Sequence, residues 1–341
     1  MRRLLRAALR RLRARARPAR RPPPPAPLRP ALVIPVHNDA AGLARLLDQA
    51  RGLGCFAQIV VVDDGSTPPV APAPDITLLR QDQAQGGGVA RNLGLTAVTT
   101  PHVLFFDADD LLTADLPALL TTLGGAGDFD FCQFKYADSR VPAEGLWGHP
   151  DWDEVFWEEA GAATGHLRDA PPETWPILAQ TANYPWNKIY RTAFLRAHGI
   201  GCAATSVHQD VPLHWLGYLA ARRVLTSDRI CAWHGVSTAG ARLTNRSGPE
   251  RLEVFAALTP VAEAARGASP AWHAALARFS LGLFEWGSAR IEPDLAPRMA
   301  MMERDWLRSH VAPWLGGIEG CDPALAARLA EVLATRIEGG P

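Results

Sequence analysis

The run FFDADD, Phe105 to Asp110, sets three carboxylates, Asp107, Asp109 and Asp110, at the end of an apolar stretch. A D-x-D spacing where a strand gives way to a turn suits a hard divalent cation such as Mg²⁺ or Mn²⁺, which takes oxygen ligands and keeps positions open for phosphate. Such an ion neutralises a departing diphosphate. The same run also reads as an acidic helix start, with Asp110 as a cap. In VVDDGS, Asp63 or Asp64 offers a carboxylate to a base or ribose and Gly65 permits the turn; an Asx-type turn is the other reading. GGGVARNLG supplies glycines for close backbone approach and Arg91 to face phosphate or to hold an acidic loop.

The elements that must position these residues alternate. ALVIPV (residues 31–36) reads as a buried parallel strand, and Asn38 or Asp39 then caps a helix with Leu43, Leu46 and Leu47 at helical spacing. QIVVVDDGS, ITLLR, HVLFFD and DFCQFKY supply further strands, and GGGVARNLGLTAV is a glycine turn running into a helix. This order implies a doubly wound, mostly parallel α/β sheet, in which ligands bind at the carboxyl ends of the strands. The polar clusters fall at those ends: His37 and Asn38, Asp63 and Asp64, then Asp107, Asp109 and Asp110. Residues 140–185 read as loops over the sheet, PWNKIYRTAFLRAHGI and VHQDVPLHWLGYLA as helical, and RRVLTSDRICAWHGVS as two short strands. From about Pro249 the pattern is helical, with Trp272, Phe279, Phe284, Trp286 and Trp306 as packing residues.

VIPVHN, VVDDGS, GGGVARNLGL and FFDADD, in this order and spacing, resemble the GT-A (Rossmann-like) domain of family 2 glycosyltransferases, closely over residues 31–110 and more loosely over 185–238. The resemblance implies an inverting transferase that moves a sugar from a nucleotide-sugar donor, by expectation a UDP-sugar, to a hydroxyl of a glycan or lipid-linked acceptor, with Mn²⁺ or Mg²⁺. It places Pro35, Val36, His37, Asn38, Asp63, Asp64, Arg91 and Asp107 around the nucleotide, and Asp107 and Asp109 on the metal, with Asp109 the direct ligand. His234, after ICAW, becomes a candidate third ligand. The family's catalytic base falls on Asp210 in VHQDVPLHW, where Gln209 replaces the usual Glu. PWNKIYR offers Trp186 and Lys188 to the acceptor, or to packing. The resemblance divides the chain into a tail (1–30), a transferase domain (31–238, with its nucleotide half at 31–136) and a helical region (239–341).

Charge distribution limits the partners. The 35 basic and 35 acidic side chains cancel, but residues 1–30 hold eleven arginines and no acid, so the body is acidic. An acidic body is a poor nucleic-acid binder. Residues 2–17 place leucines at helical spacing opposite arginines, ahead of Pro22–Pro25. The readings are a disordered basic tail, peripheral contact with an anionic membrane at the inner face of the cell membrane, or a transit peptide. Five scattered cysteines without C-x-x-C spacing argue against a disulfide framework and fit a cytoplasmic setting. Two rivals remain: a nucleotidyltransferase, whose cationic first loop is missing from VHNDAAG, and a non-catalytic nucleotide-sugar or carbohydrate-binding protein derived from a transferase.

Overall fold

The computed structural model describes residues 25–143, 146–163, 165–235 and 246–334. The basic stretch 2–17 lies outside the described residues. Residues 25–30, counted with the tail in the sequence, lie on the domain: Arg29 donates to the carbonyls of Gly54 and Phe56, and Leu28 N–H to that of Leu120.

Strand β1 (Ala31–Val36) leads into helix α1 (Ala40–Leu53), then β2 (Gln58–Asp64), β3 (Thr77–Gln81), α2 (Gly87–Ala97) and β4 (His102–Phe105). β5 (Leu111–Leu112), α3 (Leu116–Leu123), β6 (Phe131–Ala143), β7 (Leu146–Gly148), α4 (Asp151–Glu159) and β8 (Arg168–Ala170) follow. β9 (Lys188–Arg191), α5 (Thr192–His198), α6 (Val211–Ala220) and β10 (Val224–His234) complete the sheet region. The strand order is β3-β2-β1-β4-β9-β6-β10-β5, with β7 beside β6 and β8 beside β10. β1 is parallel to both β2 and β4, so the winding reverses at β1 and opens a crevice beyond its carboxyl end.

Period-two alternation in β1 decides the layers. Val33 faces one core cluster with Ala90 and Leu95 of α2, whereas Leu32 and Ile34 face the other with Leu43, Leu46 and Leu47 of α1. The α2 side is closed further by α7 (Val254–Ala264), α8 (Pro270–Ser288), α9 (Ala296–His310), α10 (Leu315–Cys321) and α11 (Pro323–Ala334). Leu258, Leu276, Phe284 and Leu307 of these helices belong to the same core as Val33. Trp215 of α6 joins the two parts, its ring 5.0 Å from Phe279.

Three local readings of the sequence are corrected. KIYR is a strand, β9, antiparallel to both β4 and β6, and the helix begins only at Thr192. Ile189 and Tyr190 are buried there in different core clusters, as the alternating faces of a strand place them. The two short strands at the end of the domain are one, β10, whose register against β6 shifts between Ser227 and Ile230 and again before Ala232; these irregularities break the alternation. Within 140–185, β7, α4 and β8 replace a purely irregular stretch.

Helix α2 sits close on the sheet because residue 94 is glycine. A Cβ there would lie 2.4 Å from Val33 Cγ1 and 3.1 Å from Val62 Cγ2, both in strand cores that cannot yield. Gly94→Leu is expected to cost about 1–3 kcal/mol, the usual range for overpacking, read as a lower urea midpoint at unchanged slope.

Candidate functional site

The site is built at the carboxyl ends of β1, β2 and β4. After β1 the chain turns through Asn38 at φ 54°, a left-handed conformation that Asn tolerates better than most residues. Asn38 is held there by its N–H donating to Ser66 Oγ (3.0 Å) and by its Oδ1 accepting from Thr67 N–H (2.8 Å). Asp39, not Asn38, caps α1, accepting from Gly42 N–H at 2.9 Å. His37 Nδ1 lies 2.6 Å from the Asp64 carbonyl, tying the first loop to the second.

The two carboxylates of VVDDGS do different work. Asp63 is turned into its own loop, accepting from Ser66 N–H (2.8 Å) and Val70 N–H (3.0 Å) and pairing with Arg80. Against the cost of burial, these bonds hold Asp63 below the usual carboxylate range. Asp64 reaches across to the glycine turn, accepting from Gln81 Nε2 (2.6 Å), Gln85 N–H (2.7 Å) and Gly86 N–H (2.8 Å). That turn starts α2 and carries Gly88, whose N–H donates to Gln209 Oε1. A Cβ on Gly88 would lie 2.4 Å from the Ala203 carbonyl, so only glycine permits this contact with the segment leading to Asp210.

One turn further along α2, Arg91 is 5% exposed and its guanidinium pairs with Asp107. Burial opposes its charge, but Asp107 and, more weakly, Asp210 hold it protonated. Its Nε and the other terminal nitrogen are buried without a hydrogen-bond partner. The Asp210 carboxyl is pushed up to about 6, first by burial and then by Asp107, with Arg91 and Lys188 pulling it down. Asp210 stands at the N-cap position of α6, yet its side chain makes no capping bond. Two residues earlier His208 has φ 56°, so left-handed non-glycine backbone occurs on both walls of the crevice.

Asp107, Asp109 and Asp110 bring ligand atoms within 4.8 Å of one another. Asp110 does not cap a helix: it is 1% exposed, and α3 starts later, behind Asp115. Its Oδ1 lies 2.9 Å from His234 Nδ1 and accepts from Gly235 N–H at 3.1 Å; its Oδ2 is buried and unpartnered. Burial, with Asp107 and Asp109 beside it, pushes Asp110 up to about 6 against the pull of His234. A buried orphan oxygen beside two further carboxylates fits a hard divalent cation. The sequence reading set Asp110 aside and offered His234 as third ligand; the described cluster contains Asp110, with His234 behind it orienting its carboxylate. The signal was available in the third carboxylate of FFDADD.

Trp186 and Lys188 are 1% and 0% exposed. Trp186 stacks on Tyr184 at 4.6 Å and leans on His234 at 5.4 Å, forming the floor beneath the acidic cluster. Lys188 Nζ donates to the Tyr184 carbonyl (3.1 Å) and to Asn187 Oδ1 (2.5 Å). Burial pulls Lys188 down to about 7, with Asp153 and Asp210 acting against it. Both residues thus stand inside the wall of the crevice.

A sheet wound about β1, with acidic strand ends and a helical region behind, defines a GT-A-like fold. The same course is found in TarS of S. aureus in complex with UDP-GlcNAc, at a TM-score of 0.68 and 16% identity over 90% of this chain and 88% of that one; likeness at this identity concerns the fold. Residues 31–165 match the family model "Glycosyl transferase family 2". A pre-mycofactocin glycosyltransferase of Mycobacterium tuberculosis is 44% identical over 84 residues, 23% of this chain and 17% of that protein. EpsH of Bacillus subtilis is 23% identical over 184 residues, 49% of this chain and 48% of that one. The matched part thus spans less than half the length of these relatives.

His234→Ala removes the group that orients Asp110 while leaving the three carboxylates in place. Mn²⁺ affinity, read by calorimetry, is expected to fall by about 10–100-fold, as for other changes to the partners of metal ligands. Asp109→Ala is expected to abolish measurable Mn²⁺ binding.

Proposed function

We propose that the protein is an inverting, metal-assisted glycosyltransferase that moves a sugar from a nucleotide-sugar donor, a UDP-sugar in the first instance, to a hydroxyl of a glycan or lipid-linked acceptor. The observation that carries this reading is the placement of Arg91, which pairs with Asp107 and exerts its charge on Asp210 from the same buried position. Donor-side and acceptor-side carboxylates are thereby brought to one crevice from residues about a hundred positions apart.

In this reading the nucleotide lies along Pro35, Val36, His37 and Asn38. Asp63 or Asp64 meets the base; both are buried and accept backbone hydrogen bonds, Asp63 within its own loop and Asp64 from the glycine turn. A divalent cation held by Asp107, Asp109 and Asp110 would offset the charge of the departing diphosphate. Arg91 adds a fixed positive charge beside that group. Asp210, with a pKa of about 6, is largely ionised at neutral pH yet basic enough to take a proton. It draws the proton from the acceptor hydroxyl as that oxygen bonds to the anomeric carbon. The anomeric carbon–oxygen bond to the diphosphate breaks on the opposite face, releasing the nucleoside diphosphate and inverting the configuration. Trp186 and Lys188 support this wall from within, Lys188 placing positive charge behind Asp210.

The nucleotidyltransferase rival needs a cation in the loop after β1, and His37 and Asn38 are instead tied to Asp64, Ser66 and Thr67. A binding protein would gain nothing from an uncapped, desolvated carboxylate at residue 210.

The test is a donor screen reading nucleoside diphosphate release with Mn²⁺. Release from at least one sugar nucleotide is expected, with kcat/KM falling below pH 6 as Asp210 takes up its proton. Asp210→Asn should lower kcat by about 10²–10⁴-fold, the range of general-base contributions, while UDP affinity is kept. Equal turnover by wild type and Asp210→Asn would remove Asp210 from the chemistry, and no metal-dependent UDP binding by wild type would sink the transferase reading.

A further inference from the structure

A second surface begins two residues before Asp210. The ring of His208 meets that of Trp286 of α8 edge-on, with centroids 5.9 Å apart. The guanidinium carbons of Arg251 and Arg290 stand 4.3 and 4.5 Å from the Trp286 ring centroid, which fixes the indole in place. Beyond it Trp286 lines a cavity of about 290 Å³ together with Phe156, Phe279 and Leu283, with Gln180 and Arg278 among its polar groups. Arg278 donates to Gln180 Oε1 at 2.9 Å and to Asp322 Oδ2 at 2.5 Å, so these side chains are held in position.

Phe156 comes from α4, where Trp152, Val155 and Phe156 share one face at i, i+3 and i+4. Trp152 is 48% and Val155 54% exposed, a large apolar display for a short helix. Arg140 covers part of Trp152, 5.0 Å from its ring, and is itself anchored on Asp138. The groove between α4 and α8 therefore combines exposed aromatic and aliphatic surface with fixed guanidinium and amide groups, and it runs from the wall that carries Asp210.

We propose that this groove is a subsite for the saccharide chain of the acceptor, seating sugar rings remote from the one that is glycosylated. The inference rests on the transferase reading and adds the acceptor's chemical class. Sugar rings present apolar C–H faces and a rim of hydroxyls, which matches Trp and Phe faces edged by Gln180 and Arg278. An acyl or prenyl chain would take water from the Arg278 guanidinium and the Gln180 amide and offer them no hydrogen bond in return. Continuity with Asp210 through His208 and Trp286 favours the acceptor over an unrelated partner.

The experiment uses the full chain on a glycan array spanning α- and β-linked hexose and hexosamine oligosaccharides, followed by calorimetry on those that bind. Mn²⁺-dependent UDP affinity and binding to phosphatidylglycerol vesicles are measured in parallel. The expected result is binding of oligosaccharides more tightly than of their monosaccharides. Val155→Asp, on exposed surface, should weaken it by about tenfold, the scale of one lost apolar contact, with UDP affinity unchanged. Trp286→Ala should do the same or more, and Val155→Asp keeps the test valid if that variant does not fold. Intact UDP binding with no saccharide bound, or with Val155→Asp binding like wild type, overturns the groove alone. A Val155→Asp effect confined to vesicles also overturns it. Loss of UDP binding in wild type overturns the groove and the transferase reading together.

Discussion

The carboxyl edge of the sheet concentrates negative charge: Asp63, Asp64, Asp107, Asp109, Asp110 and Asp210 all border one crevice, and several are buried. Like charges in a poorly hydrated place repel one another and resist ionisation. Arg91 is the buried cation that offsets this at the centre, and its position depends on everything around it. It lies on α2, which approaches the sheet closely because Gly94 rests on Val33, and which begins at a turn pinned by Asp64. The remaining negative charge is met at the periphery, by Arg80 on Asp63 and His234 on Asp110.

The helices after residue 249 belong to this arrangement and are not an appendage. Their apolar faces complete the core on the α2 side, and the segment from Cys202 to Asp210 is held between α2 and that helical layer. Asn92 Oδ1 accepts from Cys202 N–H at 2.8 Å, Gly88 N–H donates to Gln209, and Ser206 N–H donates to Glu253. Two elements, α2 and the turn that ends at Glu253, thus hold the segment just ahead of Asp210, a fixed placement of the kind the proposed general base requires.

The strand ends and their carboxylates were legible in the sequence because buried parallel strands read as short apolar runs and the acidic residues follow them directly. The doubly wound class followed from the same alternation. Whether Asp110 caps a helix could be read only in three dimensions: α3 starts behind Asp115, and Asp110 is bonded to His234 of β10, more than a hundred residues later. Trp186 and Lys188 read in the sequence as acceptor contacts or packing residues, and the fold buries both; strand β9 was not legible because KIYR has too few residues to declare a strand beside the helix that follows it. Gln209 looked like a departure from the expected acidic pair. In the fold its amide oxygen accepts from Gly88 N–H, a bond a carboxylate could also accept, and the spacing of sequence alone gives no account of that partner.

Strand β9 lies between β4 and β6 and runs against the direction those two share. Its residues, 188–191, lie far beyond both neighbours in the chain and beyond residue 165, where the family match ends. As the polypeptide leaves the ribosome, β4 and the start of β6 must therefore wait with unpaired edges for a piece made later. Such edges invite pairing with other chains. The strands made before β9 cannot close the sheet in isolation, and synthesis must proceed past residue 191 before β4 and β6 become one surface.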